Sequence, residues 1–428
     1  MAETSLFELI KAGGWLMVPI ILCLVVAVAI IIDRFLALRA QKVIPGNLVG
    51  QVFNWMKQEQ IDASKMKELK PRPGILRILP YAPGKSDIPN LEKVIKLSSN
   101  ESALGPSPKA IEAFNKVSVS LHRYPEGSSA KLRGTLGKYH GLDENRITCG
   151  AGSDEILYNL ARAYAGPGDE IIMSKHGFNM YPIIASTVGA IPVIAPEREL
   201  TFDVDSVLQL VTRKTKILFI ANPNNPTGSY ISGEELFRLR AGLPENVLLV
   251  IDCAYAEYVI RNDYSVGFDL VDTNENTVIT RTFSKIYGLA ALRIGWAYCP
   301  PSICDVLNKI RGPFNLSTAA QEAGIAAVED EIHVAALRDH NSVWLPWLSN
   351  RLKSLGLTVY PSVANFVLVQ FPETESKNCL LAMNFFNQKG IIPRETSVYH
   401  LPACLRVTIG TEDEIYSFSS ACEQFLLG

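Results

Sequence analysis

Between residues 170 and 282 the sequence repeats one pattern, in which short apolar runs alternate with turns and amphipathic stretches. The apolar runs are EIIMS at 170–174, KILFIAN at 216–222, NVLLVID at 246–252 and NTVITRT at 276–282, and residues 232–241 form a helix-like segment. Strands that alternate with helices predict a largely parallel sheet in an α/β domain. Ligands bind at the carboxyl ends of the strands in such sheets, so the polar residues that close these runs are candidates for a functional site.

The overall composition is that of a globular enzyme with a substantial core. The chain has 428 residues, 48% hydrophobic and 20% charged, with a net charge of -2, and its length allows about two or three domains. This charge balance gives no support for nucleic-acid binding. The 8 cysteines show no CxxC or CxxH spacing, so we expect neither a metal site nor a disulfide framework, and we expect a reducing compartment.

The N-terminal part of the sequence differs from the rest. Residues 15–32, WLMVPIILCLVVAVAIII, carry no charge, which predicts a transmembrane helix, and Arg34, Arg39 and Lys42 follow on the side that the positive-inside rule assigns to the cytoplasm. We therefore expect an inner-membrane anchor with a cytoplasmic catalytic domain, or a cytoplasmic protein if residues 1–62 are absent or not inserted. Residues 63–73 are polar, basic and proline-containing, as in a linker.

Residues 1–62 resemble the beginning of an ExbB/TolQ-type proton-channel subunit. The resemblance is carried by FELIKAGGW, by the proline-containing apolar run and by the Asp33-Arg34-Phe35 exit from it. That family needs further membrane helices to enclose a proton path, and no other stretch of this chain is apolar enough to supply one. We therefore expect an anchor or a fusion remnant, and channel activity is not expected of this chain alone.

Lys285 and Arg293 lie in the segment RTFSKIYGLAALRIGW at 281–296. A lysine that attacks a carbonyl must lose its proton, so it is usually buried or placed near another cation. An arginine on the same turn can supply that cation and hold a phosphate through two hydrogen bonds. The pair therefore indicates an aldehyde that carries a phosphate, such as pyridoxal phosphate, whereas Lys285 taken alone is more often a solvated surface lysine.

Three further segments carry candidate ligands. GAGSDE at 150–155 precedes a helical pattern, and the free N–H groups at a helix N-terminus can bind phosphate. The prolines of NPNNPTG at 222–228 make a rigid turn that can aim a side-chain amide. Asp252 closes an apolar strand and needs a positive partner, such as a protonated pyridine nitrogen. Each segment alone also fits an ordinary turn or a solvated strand end.

Taken in order, these segments resemble the fold-type I aminotransferases, and specifically the histidinol-phosphate aminotransferase family, over residues 71–428. The resemblance implies a large α/β/α domain with a mostly parallel sheet at 103–316, a smaller α+β domain at 317–428 and an N-terminal arm at 74–102. The matching motifs are PRPGI, HRYPEG, GAGSDE, NPNNPTG, IDCAYAEY, RTFSKIYGLAALRIGW, RGPFNLS and LPACLRVTIGT.

The resemblance implies a complete set of residues for pyridoxal 5'-phosphate. Lys285 would hold the cofactor covalently and then act as the general base. Asp252 would keep the pyridine nitrogen protonated, and Phe178 would stack on the ring at a position where tyrosine is common. The remaining cofactor contacts would be Asn225 and Tyr255 at the ring oxygen, and Arg293, Ser284, Thr282, Ser153 and Asp154 at the phosphate.

The resemblance also implies a homodimer and a site for anionic substrates. Tyr124 would reach the phosphate of the neighbouring subunit's cofactor. The substrate-binding residues would be Tyr81, Asn100, Arg394 and Arg406. The chain departs from the family pattern at ESALG, residues 101–105, where the family has a proline, and at His400, where glycine is frequent.

We therefore expect transamination between L-histidinol phosphate and 2-oxoglutarate. Two alternatives stay open at this point. The first is an aromatic amino-acid aminotransferase on the same fold, since the sequence departs from the family pattern at residues 101–105 and at His400. The second is a membrane proton-channel or transport-energising component with an inert C-terminal domain, motivated by residues 1–62.

Overall fold

The computed structural model describes residues 14, 17–37, 69–72, 74–89, 91 and 93–428. The chain divides into two compact units, Met1–Pro71 and Arg72–Gly428. In the first unit, the described part of the chain forms one helix, α1 at Met17–Ala37. The linker prediction at 63–73 falls mostly outside the described residues.

The transmembrane prediction is not supported by the structure. No helix in the part of the chain that the structure describes is both long and apolar enough to cross a membrane.

The second unit is built on a seven-stranded sheet with the strand order β2-β10-β9-β8-β7-β3-β4. Strand β10 runs antiparallel to both of its neighbours, and the other pairs are parallel. The four strands predicted from the apolar runs are confirmed as β3, β7, β8 and β9. The sheet strands are β2 Ile147–Ala151, β3 Glu170–Ser174, β4 Ile191–Ala195, β7 Thr215–Ala221, β8 Leu248–Asp252, β9 Thr277–Thr282 and β10 Ile294–Tyr298.

Helices cover both faces of this sheet because its central strands are apolar on both sides. In β7, Leu218 and Ile220 face one hydrophobic core, while Ile217 and Phe219 face the other. The first core also contains residues of α3 Ala130–His140, α7 Gly233–Gly242, α8 Phe268–Thr273 and α10 Thr318–Val328. The second contains residues of α4 Ser153–Tyr164, α5 Met180–Val188 and α9 Pro301–Ile310. The predicted α/β/α arrangement is therefore confirmed.

A smaller antiparallel sheet, with the order β11-β12-β15-β14, forms a third core. Its strands are β11 Thr358–Tyr360, β12 Phe366–Gln370, β14 Arg394–Glu395 and β15 Cys404–Thr408. Helices α12 Cys379–Gln388 and α13 Glu412–Leu427 pack against it. Helix α11, Glu331–Ser354, contributes to the first core near its start and to the third core near its end. The domain division at 316/317 stays a prediction.

The remaining elements complete the unit. Helix α2 is Pro108–Lys116 and α6 is Val204–Gln209. Strands β5, Glu197–Arg198, and β6, Thr201–Phe202, form a hairpin. Strand β1, Ile95–Lys96, pairs in parallel with β13, Ile391–Ile392, in a separate two-stranded sheet that packs on the third core.

Candidate active site

The largest group of predicted site residues meets at the carboxyl ends of β7, β8 and β9. The register places Ala221 opposite Asp252, and Asp252 opposite Thr280. A cavity of about 220 Å³ lies there. Every predicted site residue except Tyr124 lines it, namely Tyr81, Asn100, Ser153, Asp154, Phe178, Asn225, Asp252, Tyr255, Thr282, Ser284, Lys285, Arg293, Arg394 and Arg406.

Lys285 lines the cavity with a lowered proton affinity. Its Nζ donates to the carbonyl oxygen of Ser99 at 3.1 Å and lies 5.6 Å from the centre of the Tyr255 ring. Burial lowers the pKa of Lys285 to about 8, with the positive charge of Arg406 as the next cause and Arg293 as a smaller one. The nearby cation that activates the lysine is thus mainly Arg406, which the sequence reasoning had assigned only to substrate.

An anion cradle lies beside the lysine at the start of α4. No side chain caps the first turn of this helix at Gly152, so its N-terminal N–H groups face the cavity side uncapped. Arg293 reaches across to Ser284 Oγ and to Asp154 Oδ2, both at 3.2 Å. Thr282 Oγ1 accepts from the Ser284 backbone N–H at 3.1 Å. Hydroxyl, guanidinium and backbone donors therefore converge on a volume suited to a phosphate.

Glycine is required where the backbone of β10 meets this cradle. A Cβ at Gly295 would lie 2.1 Å from the Ser153 nitrogen, and one at Gly152 would lie 2.5 Å from Arg293 Nη2. A side chain at Gly295 would displace the turn that presents the donors, and one at Gly152, where φ is +79°, would displace the Arg293 guanidinium.

Asp252 is a buried carboxylate, 5% exposed. Tyr181 donates to its Oδ2 and Thr280 to its Oδ1, each at 3.1 Å. Burial raises the pKa of Asp252 to about 6, although these two hydroxyl donors act in the opposite direction. Among the described residues, no lysine or arginine forms an ion pair with Asp252. A cationic ring nitrogen would supply the missing partner.

The side-chain amide of Asn100 is hydrogen-bonded to other residues of the chain. Its Nδ2 donates to the Tyr255 hydroxyl at 2.9 Å, and its Oδ1 lies 3.2 Å from the Thr408 hydroxyl. Thr408 also accepts from the Asn100 backbone N–H at 2.9 Å. With Asn100 donating, the Tyr255 hydroxyl keeps its own proton for a ligand. Asn100 therefore borders the cavity mainly as a support for Tyr255, and its predicted substrate contact stays a prediction.

Arg394 and Arg406 are neighbours on adjacent strands of the smaller sheet. They are direct partners in the antiparallel pairing of β14 with β15, and they are only 7% and 4% exposed. Arg406 donates to Asn225 Oδ1 and, at 2.6 Å, to the Ser98 carbonyl, and Arg394 donates to the Ala82 carbonyl at 2.7 Å. Neither has a carboxylate partner in the part of the chain that the structure describes. Two opposed buried cations are costly, so this wall of the cavity is built for anions.

Aromatic rings close the cavity above the sheet. Phe178 meets Tyr181 edge to face at 5.6 Å and Tyr81 at 6.5 Å between ring centres. Burial raises the pKa of the Tyr81 hydroxyl, while Arg394 and Arg406 act in the opposite direction. Tyr81 therefore stays protonated and can donate to an anion held by the two arginines.

Tyr124 lies outside the cavity. Its ring stacks on Phe314 with 4.6 Å between centres, and its side chain is 81% exposed. Such an exposed aromatic pair fits a contact with a second chain better than a contact within this one.

The structure adds residues that the sequence reasoning missed. Tyr181 and Thr280 hold Asp252, and the carbonyl oxygens of Ser98 and Ser99 hold Arg406 and Lys285. A signal for Tyr181 was present, since it follows Phe178 by three residues at the start of a helix and therefore shares its face. In the described residues no group of histidine, cysteine or acidic side chains could hold a metal ion.

These donors fit pyridoxal phosphate. The uncapped helix start with Arg293 suits its phosphate, and Asp252, which has no cationic partner in the described chain, suits a protonated ring nitrogen. Lys285 and Tyr255 line the same cavity, with Lys285 Nζ 5.6 Å from the centre of the Tyr255 ring. The set therefore matches the cofactor at its phosphate, its ring nitrogen and its reactive side.

Comparisons with known proteins agree with this fit. Residues 92–421 match the family model for aminotransferase class I and II. A histidinol-phosphate aminotransferase of Paramagnetospirillum magneticum is 54% identical over 356 residues, which is 83% of this chain and 98% of the relative. One of Rhodospirillum centenum is 51% identical over 358 residues, 84% of this chain and 99% of the relative.

A solved structure shows the same fold. The histidinol-phosphate aminotransferase from Sinorhizobium meliloti, in complex with pyridoxal-5'-phosphate, has a TM-score of 0.77 at 24% identity and covers 85% of this chain and 99% of its own. At that identity it is evidence for the fold alone. The resemblance of residues 1–62 to a proton-channel subunit finds no support in these comparisons, since the family match begins at residue 92.

Proposed function

We propose that this chain, which belongs to the class I and II aminotransferases, transfers an amino group between L-histidinol phosphate and 2-oxoglutarate in histidine biosynthesis. The products are imidazole acetol phosphate and L-glutamate. The predictions of an aminotransferase and of pyridoxal phosphate as its cofactor are confirmed by the family and by relatives that match over nearly their full length.

Different residues of the chain have different roles at the cavity. Pyridoxal phosphate, when bound, supplies an electrophilic carbon and an electron-accepting ring. Lys285 Nζ, with its pKa lowered to about 8, is the nucleophile and then the base that moves a proton at the substrate carbon. Asp252 would keep the ring nitrogen protonated, and Asn225 and Tyr255 would bind the ring oxygen. The phosphate would be held by Ser284, Thr282, Arg293 and the first turn of α4, and Phe178 would stack on the ring.

The observation that carries the choice of substrate is the opposed pair Arg394 and Arg406. Both guanidinium groups are buried without a carboxylate partner in the described chain, and Tyr81 stands beside them with a protonated hydroxyl. A substrate with a phosphate or a second carboxylate satisfies this pair. Histidinol phosphate and glutamate each bring such a group. Phenylalanine brings a single carboxylate and leaves one buried cation unpaired, which is costly.

The test compares kcat/KM for histidinol phosphate and for phenylalanine, with 2-oxoglutarate as the acceptor, in the full chain. We expect a clear preference for histidinol phosphate, and we expect Arg394→Gln to reduce that preference. The matched control is Arg351→Gln, since Arg351 forms a partly exposed ion pair with Glu423 and does not line the cavity. A preference for phenylalanine would favour the aromatic aminotransferase, and full activity of Lys285→Ala would refute transamination at this site.

We also propose that the active unit is a homodimer in which Tyr124 completes the partner's phosphate site. Support comes from its 81% exposure, its stacking on Phe314 and its absence from the lining of the cavity in its own chain. Mixing Tyr124→Ala with Lys285→Ala gives mixed dimers in which one site has both residues. We expect activity to reappear in the mixture, and no recovery in a mixture shown to contain mixed dimers would contradict this arrangement.

Free thiols support a reducing compartment for the catalytic domain. All of the cysteines described by the structure are free, and those of the second unit are buried. Disulfides are rare in the cytoplasm, where such a biosynthetic reaction is expected. Fractionation of cells that express the full chain tests this placement, and catalytic activity confined to an extracytoplasmic fraction would contradict it.

A further inference from the structure

We propose that Tyr181 is a positioning residue that keeps Asp252 ionised and aimed at the ring nitrogen of the cofactor. The proposal deepens the proposed function and depends on it, since it assigns a role at the same site to a residue that does not line the cavity. Thr280 acts with Tyr181 on the other carboxylate oxygen.

The geometry fixes the carboxylate from two sides. Tyr181 donates to Oδ2 from α5, and Thr280 donates to Oδ1 from the neighbouring strand β9, each at 3.1 Å. Thr280 is the register partner of Asp252 in the parallel pairing of β8 with β9. Because each oxygen accepts from a different element, the plane of the carboxylate cannot rotate without the loss of a bond.

The ring of Tyr181 is itself clamped. It is 1% exposed, it stacks on Phe219 with 4.9 Å between centres and 12° between planes, and it meets Phe178 edge to face. Its hydroxyl therefore has one available direction, which is toward Asp252. The same ring supports Phe178, so it braces both the residue that stacks on the cofactor ring and the residue that faces the ring nitrogen.

The charges around Asp252 explain why these donors are needed. Burial is the largest influence and favours the protonated acid, Asp154 adds to this effect, and Lys285 opposes it from across the cavity. The hydroxyl bonds from Tyr181 and Thr280 favour the carboxylate form. Without Tyr181, the protonated form of Asp252 becomes more populated, and a neutral acid does not stabilise a protonated pyridine nitrogen.

The test measures cofactor affinity in a cycle of two proteins and two ligands. The full chain and its Tyr181→Phe variant, both freed of cofactor, are titrated with pyridoxal 5'-phosphate and with its analogue that has C–H in place of the ring nitrogen. We expect Tyr181→Phe to weaken binding of pyridoxal phosphate about tenfold, as for the loss of one hydrogen bond to a charged group, and to leave binding of the analogue unchanged.

Two further variants separate positioning from folding. Tyr298→Phe is the matched control, since Tyr298 is equally buried and donates to Asp272 at 2.6 Å outside the cavity, and it should leave both affinities unchanged. Thr280→Val should weaken pyridoxal phosphate selectively, as Tyr181→Phe does. Equal weakening of both ligands, or of neither, by both site variants would overturn the inference. A wild-type chain that bound neither ligand would refute the proposed function and this inference together.

Discussion

Replacing Arg281 by methionine removes one half of a buried ion pair that joins the turn carrying Tyr255 to the strand leading to Lys285. Arg281 Nη2 lies 2.7 Å from Glu257 Oε1, and the two side chains are only 4% and 8% exposed. The guanidinium also lies 5.7 Å from the centre of the Trp296 ring. Methionine keeps most of the apolar length of arginine, so the change removes mainly the charge.

The size of the effect follows from what is left behind. Glu257 would remain buried as a carboxylate without its partner, which costs about 3–5 kcal/mol of unfolding free energy. Glu257→Leu should cost a similar amount for the same reason. The double variant has neither charge and should lie close to the wild type, whereas two independent losses would sum to about 6–10 kcal/mol. The coupling energy is thus the quantity that tests the argument.

The assay is urea unfolding of the full chain without added cofactor, followed by circular dichroism, for the wild type, both single variants and the double variant. The control pair is Arg351 and Glu423, which lie 2.8 Å apart with side chains 36% and 41% exposed. Loss of that surface pair should cost less than about 1 kcal/mol. If the double variant of Arg281 and Glu257 lost the sum of the two single effects, the pair would not act as a coupled unit.

Three further outcomes are expected. In the cofactor-free chain, labelling of Lys285 by an amine-specific reagent should rise with a midpoint near pH 8, because only the neutral amine reacts and its pKa is lowered from 10.5 to about 8. Peptide mass spectrometry over a pH series measures this labelling, and a midpoint near pH 10.5 would contradict the burial argument. Gly295→Ala should weaken cofactor binding at least about tenfold in equilibrium dialysis, since its Cβ would lie 2.1 Å from the Ser153 nitrogen, and an unchanged affinity would argue against the cradle. Thr411→Ala should lower the unfolding free energy by about 1 kcal/mol in urea, because it breaks the capping box with Glu414, while Thr411→Ser should keep it.

Local sequence was enough to predict the main sheet and the site that lies at its edge. The strands β7, β8 and β9 end near their predicted positions because uninterrupted apolar runs can be satisfied only by burial on both faces. Once these strands are parallel neighbours, their polar ends must meet, so Asp252, Thr282 and Lys285 come together without further information. The register between β8 and β9 then sets which side chains touch.

Pairings between distant segments could not be predicted in this way. The contact of Arg394 with Arg406 depends on the register of β14 with β15, and that of Asn100 with Tyr255 joins residues 155 apart in the chain. No periodicity encodes either of them. In the N-terminal apolar run, hydropathy predicted a membrane-spanning helix. A helix, α1, is found there, but no helix in the described residues is both long and apolar enough to cross a membrane.

The segment from Ser98 to Asn100 has a consequence for the order in which the enzyme is made. The Ser99 carbonyl holds Lys285, which lies 186 residues later. The Ser98 carbonyl holds Arg406, and the Asn100 N–H group holds Thr408, each across 308 residues of chain. Closing loops of this length costs entropy before any contact forms. A nascent chain can thus build the main sheet while ribosomes are still translating the strands of the smaller sheet. The cavity is complete only after residue 408 has emerged, so cofactor binding requires that both sheets have formed.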